Sequence, residues 1–452
     1  MEKNKLNKRY VIAVILVIFI YCFLRFYQLD KRIGFDWDQE RDAYVMKQLL
    51  VDHKPTLIGP RVVDVNGFFL GPYYSYLLAP FYILSGLHPR AIVYFVIAVD
   101  SAFALFAFFI IKKLWGVKHS LIFLLLWGIN PLLIAFDTSA WNPLLIPVGI
   151  ITLWWLLYKL DQTKKTVYWF LLGVNLAIGI HFHFQYFFLC LFTFYFLYIS
   201  RKTIATNLVK VLLFFFPILF FLAPLIIFDI RHDYLNTHLF LNFFSNIHTK
   251  EGYYIFNWTA VLSNFLYQIT TIKIKFINMV VYSLIIGLFF LLSRKKSGFQ
   301  RRFYQANVFL FLITPLFFMA YGQKPSEYYF LFLYLFIYIG LAEAVVFWKK
   351  YQVFVLLLIL NVLIFTRNIF NMIQPHQADL YYKDLAVQEV RKINSQNNYQ
   401  IVLMMPFGRD NGFRYLINYY GMETDPSVKK GEVILRIPPA AQDKIFGDIG
   451  VY

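Results

Sequence analysis

The sequence predicts a polytopic α-helical membrane protein of about eleven transmembrane helices, followed by a small C-terminal extracytoplasmic α/β domain. Of the 452 residues, 60% are hydrophobic and only 15% are charged, whereas roughly a quarter of a soluble domain is charged. The basic residues occur in short clusters between apolar runs, as cytoplasmic loops require. The net charge of +18 therefore indicates membrane topology, and we expect no nucleic-acid partner.

The first apolar run, VIAVILVIFIYCFL, follows the basic segment MEKNKLNKRY. Because no small-residue cleavage site follows it, we expect an uncleaved first span at about residues 10–29 with a cytoplasmic N-terminus. The chain is then a multi-pass protein of the inner or plasma membrane. The only two cysteines, Cys22 and Cys190, lie inside apolar runs and predict neither a disulfide nor a metal site.

Residues 30–90 are acidic, aromatic and rich in Gly and Pro, and we expect them to form a long first outer loop. The loop contains one apolar stretch, GPYYSYLLAPFYILSG, which is short and includes Pro72 and Pro80. If this stretch crossed the membrane, nearly every later basic cluster would lie outside. We therefore predict an interfacial helix at residues 71–86.

The remaining spans end in Lys or Arg on one side and in polar or acidic residues on the other. The same parity argument keeps a second outer loop, residues 229–275, on the outside, including its moderately apolar part. No internal repeat is visible, and the transmembrane domain covers residues 1–367. The later spans are expected at about 91–111, 119–136, 143–158, 166–180, 184–200, 208–228, 276–293, 303–320, 329–347 and 351–366.

The pattern changes after the last span, and residues 368–452 predict a small extracytoplasmic α/β domain. DLYYKDLAVQEVRKI is amphipathic at helical spacing, whereas QIVLMM and EVILRI are short β-like runs. RDNGFRYLINYYG is typical of a helix closed by Gly421. An odd number of spans from a cytoplasmic start places this domain outside.

Polar residues that could perform chemistry collect at the expected outer ends of the spans, which indicates a cavity at the outer membrane interface. GFDWDQERDA, just beyond span 1, holds four acids and an arginine: Asp36, Asp38, Glu40, Arg41 and Asp42. The other outer candidates are Asp137, Asn142, His181, His183, Asp229, Arg231, His232, Lys324, Glu327 and Tyr328.

These residue types suit sugar transfer from a lipid-phosphate donor. A carboxylate at the membrane surface can act as general base for an acceptor hydroxyl or amine. A nearby cation can stabilise a departing phosphate. Aromatic side chains can line a groove for a lipid chain or stack on a sugar.

Five stretches carry a family resemblance: DQERDAYVMKQLL, GPRVVDVNGFFLGPYYSYLLAPFYILSG, WNPLLIP, GIHFHFQYF and PLIIFDIRHDYLN. In their order and spacing they resemble the GT-C superfamily. More narrowly, they resemble the glycosyltransferase family 39-like group of protein O-mannosyltransferases and lipid A aminoarabinose transferases. The resemblance covers roughly residues 10–366 and implies an outer-face active site, a polyprenyl-monophosphate sugar donor and inversion at the anomeric carbon.

The family's catalytic acid lies in the first outer loop, in a pattern like D-E-x-R, which corresponds here to Asp38, Gln39, Glu40 and Arg41. The resemblance gives Asp38 the catalytic position. Gln39 stands where many relatives have Glu, so Asp36 or Glu40 is the alternative second acid. Asp42 is expected to cap the following helix, which leaves Asp36 and Asp38 for chemistry, and the choice of base between these two stays open.

Each other candidate also has a structural alternative. Arg231 and His232, together with Lys324 and Arg41, are expected to bind the donor phosphate, but the first two equally suit a positive cap at a span end. His181 and His183 diverge on a helix, so an interfacial role competes with substrate binding. Substrate binding is also expected of Asp137, Asn142, Glu327 and Tyr328, although Glu327 and Lys324 equally suit a solvated loop.

We expect no metal and no cofactor. Asp36-Trp37-Asp38 spells the metal-binding D-x-D of relatives that use lipid diphosphates, but a monophosphate leaving group needs less charge neutralisation. The expected partners are the lipid-phosphate sugar, the bilayer, and a protein, glycan or lipid acceptor. The alternatives are a transporter or flippase of lipid-linked sugars, which should show repeats and mid-membrane polar groups, and a non-catalytic assembly subunit.

Overall fold

A bundle of long apolar helices carries a small four-stranded sheet near its C-terminus. The computed structural model describes residues 8–62, 67–204, 206–245, 262, 266–267, 274–321, 326–352, 370–371, 373–375, 379–396, 398–422 and 431–452. Nearly all of the eleventh expected span and a large part of the expected second outer loop lie outside the described residues.

The helical part of the described chain also includes three short 3₁₀ segments, at Leu29–Lys31, Asn142–Leu145 and Glu327–Phe330. Its α-helices are α1 (Lys8–Phe26), α2 (Trp37–Leu50), α3 (Tyr73–Leu84), α4 (Ala91–Leu114), α5 (Val117–Ile129), α6 (Pro131–Thr138), α7 (Ile146–Gln162), α8 (Val167–Phe182), α9 (Tyr186–Ile199), α10 (Leu208–Arg231), α11 (Leu235–Ser245), α12 (Lys275–Lys295), α13 (Gly298–Tyr321), α14 (Leu331–Phe347), α15 (Leu380–Ile393) and α16 (Phe413–Tyr419).

The predicted polytopic helical architecture is confirmed, and helices occupy the first ten expected spans. Among the described helices, six are long and apolar enough to cross a membrane, and the bent pair α5–α6 would make a seventh. α8 and α9 are apolar but shorter. The count of about eleven spans therefore stays a prediction. The stretch expected to lie at the interface forms α3, whose 12 residues are fewer than the roughly 20 that a span needs.

The third expected span is broken, because α5 and α6 meet at an angle of 68°. Pro131 begins α6, where its missing N–H is tolerated. The Asn130 side chain caps α6 by accepting a hydrogen bond from Leu133 N–H (3.1 Å), and its Nδ2 donates to the Tyr338 hydroxyl (2.7 Å). These bonds fix the direction in which α6 leads towards residues 139–143.

The C-terminal segment forms the expected mixture of strands and helices. Strands β1 (Gln400–Met404), β2 (Glu432–Arg436), β3 (Lys444–Phe446) and β4 (Ile449–Val451) pair in the order β1-β2-β4-β3. β1 and β2 are parallel, and the other two pairs are antiparallel. The predictions of a helix in DLYYKDLAVQEVRKI, strands in QIVLMM and EVILRI, and a helix closed by Gly421 are confirmed.

The sheet and its helices share one hydrophobic cluster with the long loop after α1. The cluster joins Phe35 and Ala43 of the loop to Phe413, Leu416 and Val433 of the C-terminal segment. Gly412 lies so close that a Cβ there would come within 2.2 Å of the Phe35 carbonyl oxygen. The C-terminal unit is therefore packed directly onto α2 and the residues before it.

Lys383 is the main polar anchor of this contact. Its side chain is 2% exposed, and its Nζ donates to the Phe35 carbonyl (2.8 Å), Asp36 Oδ1 (2.8 Å) and the Asn411 carbonyl (2.9 Å). One buried ammonium group thus joins α15, the loop before α16 and the residue that precedes α2.

Replacing Lys383 with Met should lower the free energy of unfolding by about 3 kcal/mol, since the buried Phe35 carbonyl, the Asn411 carbonyl and the Asp36 carboxylate lose their donor. Chemical unfolding of the purified protein in detergent measures this change. Lys392→Met is the matched control, because Lys392 lies on the same helix with an exposed side chain and should change stability by less than about 0.5 kcal/mol. Equal stability of the two variants would contradict the anchoring role.

Candidate active site

A cavity of about 540 Å³ opens where α2, the long loop and the ends of several apolar helices meet. Five separate chain segments supply its walls, so no single stretch of sequence describes it. The lining residues are Trp37, Asp38, Arg41, Gly59, Pro60, Arg61, Val62, Phe69, Leu70, Trp141, Asn142, Pro143, His183, Tyr328 and Tyr329.

The first turn of α2 brings Asp38 to this cavity. Asp36 is the N-cap of the helix, and its N–H donates to Gln39 Oε1 (3.0 Å). The Gln39 Nε2 donates to the carbonyl of Ser139, just after α6. Gln39 therefore fixes α2 both to its own cap and to the broken helix. The prediction that Asp42 caps this helix is wrong, because α2 begins five residues earlier and Asp42 lies within it.

Arg41 connects Asp38 to a buried second carboxylate. Its Nη1 lies 2.7 Å from Asp38 Oδ1, while Nε and Nη2 donate to Asp42 Oδ1 at 3.0 and 2.8 Å. Burial raises the pKa of Asp42 to about 6, although the adjacent Arg41 opposes this shift. Asp42 thus holds the Nε–Nη2 edge of the guanidinium, Nη1 contacts Asp38, and both Asp38 and Arg41 line the cavity.

A second arginine reaches the cavity from a hairpin-like part of the long loop. Backbone bonds join Gly59 to Leu70 (2.7 Å) and Val62 to Phe68 (2.9 Å). Arg61 lies on this segment, with its guanidinium carbon 4.6 Å from the centre of the Phe69 ring. The sequence motifs did not predict a role for Arg61. Its position could have indicated one, because an arginine on the expected outer side departs from the positive-inside rule, as Arg231 also does.

Aromatic rings and a histidine form another wall. The Trp141 and Tyr328 rings are 4.6 Å apart between centroids, and the His183 ring is 5.7 Å from Tyr328. Asn142 Nδ2 donates to the Phe182 carbonyl, which fixes the segment that carries Trp141. Trp141 is a second lining residue that the sequence analysis did not single out, although it lies in the motif WNPLLIP.

His183 is neutral and presents a donor. Burial lowers its pKa to about 3. Its Nδ1 accepts the Gln185 N–H (3.2 Å), so the proton of the neutral ring is assigned to Nε2. The cavity therefore contains two guanidinium groups, one carboxylate and an uncharged hydrogen-bond donor among its lining side chains.

Five of the residues expected at the site line this cavity: Asp38, Arg41, Asn142, His183 and Tyr328. They come from α2, from the segment after α6, from the turn between α8 and α9, and from the 3₁₀ segment before α14. The structure thus brings together residues that are nearly 300 positions apart in the sequence. Their chemical roles stay predictions.

The two alternative acids, Asp36 and Glu40, bind other parts of the protein and do not line the cavity. Asp36 caps α2 and binds Lys383, as described above. Glu40 is 8% exposed, and its Oε1 accepts the Tyr415 N–H at 2.8 Å. The geometry therefore favours Asp38 over Asp36 and Glu40 as the acid that can reach a substrate in the cavity.

Asp137 and His181 are buried beside the cavity and are not among its lining residues. Asp137 Oδ2 lies 2.7 Å from Arg25 Nε, and Arg25 also donates to the carbonyl of Gly128 (3.0 Å). His181 packs against Gly71 so closely that a Cβ on Gly71 would overlap its imidazole ring. Both residues therefore have structural contacts, and their substrate contacts stay predictions.

The expected phosphate-binding pair at the end of α10 also lies outside the lining. Arg231 and His232 are exposed, and the His232 ring stacks on Phe228 with 4.2 Å between centroids. Asp229 accepts hydrogen bonds from Asn236 N–H (2.7 Å) and the Thr237 hydroxyl (2.7 Å). Lys324 and the side chain of Glu327 lie outside the described residues.

The described residues contain no group of three or more His, Cys, Asp and Glu side chains placed to hold a metal ion. The two acids of the D-x-D letters have different partners, because Asp36 binds Lys383 and Asp38 binds Arg41. That the chain works without a metal remains a prediction.

No family model matches the chain, and neither does any curated protein. Solved structures do match. ArnT from Cupriavidus metallidurans bound to undecaprenyl phosphate superposes with a TM-score of 0.55 at 10% identity, over 95% of this chain and 93% of ArnT. The apo ArnT structure gives 0.55 at 11% identity, over 95% and 94% of the two chains.

The archaeal oligosaccharyltransferase AglB from Archaeoglobus fulgidus, in complex with an inhibitory peptide and a dolichol-phosphate, also matches, with a TM-score of 0.51 at 10% identity. That match covers 90% of this chain and 63% of AglB, so the chain spans less than two thirds of that relative. ArnT and AglB are both GT-C superfamily membrane glycosyltransferases. The chain has the GT-C fold. The resemblance predicted from the sequence motifs is confirmed at the level of the GT-C fold.

Replacing Asp137 with Asn should lower the free energy of unfolding by about 3 kcal/mol, because Arg25 would stay buried without its carboxylate. The double variant Arg25→Met/Asp137→Leu should recover most of this loss, since neither charge remains. Chemical unfolding in detergent compares the three proteins. If Asp137→Asn were as stable as the wild type, the ion pair would not be needed for folding, and Asp137 would be available to bind a substrate.

Proposed function

We propose that the chain is a membrane glycosyltransferase that moves a sugar from a polyprenyl-monophosphate donor to an acceptor. The observation that carries this proposal is the joint presence of Asp38, Arg41 and Arg61 in one cavity of a GT-C-fold chain. The structures of ArnT with undecaprenyl phosphate and of AglB with dolichol-phosphate support the class of donor, since both contain a polyprenyl phosphate.

Arg41 and Arg61 are the phosphate-binding groups in this proposal. Guanidinium groups form bidentate, charge-assisted hydrogen bonds with phosphate oxygens. Arg41 and Asp38 both line the cavity; Nη1 of Arg41 contacts Asp38, and Asp42 holds the other edge of the guanidinium. When a donor phosphate enters, Nη1 exchanges Asp38 for a phosphate oxygen, and this exchange leaves the Asp38 carboxylate available as a base.

The reaction is a single displacement. The acceptor oxygen or nitrogen attacks the anomeric carbon as the bond from that carbon to the phosphate oxygen breaks. The acceptor's proton passes to Asp38, and the polyprenyl phosphate leaves with its charge stabilised by the two guanidinium groups. One displacement inverts the anomeric carbon, as the family resemblance implies.

The aromatic wall suits the sugar. The Trp141 and Tyr328 rings offer apolar faces on which a pyranose can stack, and His183 Nε2–H and Asn142 can bond to its hydroxyls. We assign these residues to sugar binding because they line the cavity without carrying a charge, so they can bind a sugar without competing for the phosphate.

We place this cavity on the outer face of the cell membrane, with the N-terminus in the cytoplasm. The support is the positive-inside distribution of Lys and Arg, with the cavity at the opposite ends of the same helices. The acceptor is then a protein, a glycan or a lipid headgroup exposed at that surface.

Replacing Asp38 with Asn should lower kcat by about 10²- to 10⁴-fold while donor affinity stays close to wild type, because only the proton acceptor is lost. Purified protein with a panel of polyprenyl-phosphate sugars and acceptors gives both quantities. Asp30→Asn is the matched control, since Asp30 is exposed and does not line the cavity, and it should keep wild-type turnover.

Two outcomes would contradict the assignment of Asp38. One is wild-type turnover in Asp38→Asn. The other is the absence of sugar transfer by the wild type, together with movement of the lipid-linked sugar across a vesicle membrane, which would favour the flippase alternative.

The pH profile of kcat/KM should fall below about pH 6, because protonation of Asp42, whose raised pKa is about 6, removes the carboxylate that orients Arg41. Because burial raises the pKa of Asp42, its ionisation above about pH 6 lowers the free energy of unfolding, although the ionised form supports activity. Asp42→Asn should have low activity without this acidic limb. An unchanged limb in Asp42→Asn would assign it to another group.

A further inference from the structure

A second, smaller pocket of about 140 Å³ lies at the opposite ends of the helices from the candidate active site. It is formed where α7 ends and α8 begins, and where α9 passes to α10. The cavity near Asp38 uses none of these segments. The pocket is lined by Leu160, Asp161, Gln162, Thr163, Lys164, Trp169, Thr203, Ile204 and Lys210.

The pocket is basic. Lys164 lines it from the connection between α7 and α8, and Lys210 lines it from the first turn of α10. The acid among its lining residues is already neutralised, because Asp161 forms an ion pair with Arg302 and its side chain is 3% exposed. Further basic residues are close in sequence: Lys159 in the last turn of α7, Lys165 between α7 and α8, and Arg201 and Lys202 between α9 and α10. A ligand that enters the pocket therefore meets positive charge from Lys164 and Lys210, while the Thr163 and Thr203 hydroxyls donate to the Lys159 and Ser200 carbonyls.

The pocket also lies at the level where the lipid-facing surface begins. α10 starts at Leu208, beside the pocket, and exposes large apolar side chains from its first turn onwards. Leu208, Val209, Leu212 and Phe216 are 72%, 56%, 59% and 60% exposed. Trp169 lines the pocket and is buried. Tryptophan is typical of the membrane interface.

We infer that this pocket binds the phosphate headgroup of an anionic phospholipid whose acyl chains lie along the exposed face of α10. Basic pockets between transmembrane helices on the cytoplasmic side recognise such headgroups through Lys and Arg. A free phosphate would meet the same two lysines, but the apolar surface of α10 would add nothing to its affinity. That adjoining surface therefore favours the lipid over the free anion.

The test is binding of dioleoyl phosphatidylglycerol to the delipidated full-length protein, followed by native mass spectrometry. Dioleoyl phosphatidylcholine serves as the neutral comparison lipid. We expect the phosphatidylglycerol to bind at least several-fold more tightly, and Lys164→Gln/Lys210→Gln to weaken it roughly tenfold. Lys112→Gln/Lys113→Gln removes two charges from the end of α4, away from the pocket, and should keep wild-type affinity.

Three results would overturn the inference. The first is equal affinity for the two lipids. The second is an equal loss in both double variants, which would show general attraction to a basic surface. The third is displacement of the phosphatidylglycerol by millimolar inorganic phosphate, which would identify a site for the free anion. Because this test measures lipid binding alone, its outcome is independent of whether the chain transfers sugar.

Discussion

The fixed position of the first turn of α2 is the constraint on which the site depends. That turn presents Asp38 and Arg41 to the cavity, but its own stability comes from residues that point elsewhere. Asp36 caps the helix and binds Lys383, Gln39 bonds to Ser139, and Glu40 bonds to Tyr415. Three of the polar residues in this crowded segment thus act as anchors, whereas Asp38 lines the cavity. An exposed turn without these anchors would sample many orientations, and catalysis by positioned groups requires one.

The anchors reach both parts of the molecule. Through Lys383 and Tyr415 the turn is held by the C-terminal unit, and through Ser139 it is held by the end of the broken helix α5–α6. The direction of α6 is fixed in turn by the Asn130 cap and by the buried Arg25–Asp137 pair. The C-terminal unit is therefore part of the support of the candidate active site, which explains why it shares a hydrophobic cluster with the long loop.

Much of the helical fold was predictable because apolar runs and their basic ends are local signals, and the strands and helices of the C-terminal segment had clear periodicity. The bend at Asn130 was not predicted, since Pro131 after an apolar run is compatible with a straight or a broken span. Of the residues predicted at the site, Asp38, Arg41, Asn142, His183 and Tyr328 line the cavity, and their roles stay predictions. Arg61 and Trp141 also line it but were not predicted. The N-cap was placed at Asp42 because the sequence does not reveal that Asp36 contacts Lys383, nearly 350 residues away. Arg231 and Asp137 show the same limit. Their charge and position in the sequence cannot distinguish contact with a substrate from a helix cap or an ion pair, because that distinction depends on long-range packing.

The most direct test of the account is an experimental structure of the protein with bound undecaprenyl phosphate. We expect the phosphate to lie within hydrogen-bond distance of Arg41 and Arg61, with the Asp38 carboxylate facing the same space and the first turn of α2 still anchored by Lys383. A phosphate held at Arg231, away from Asp38, would contradict it.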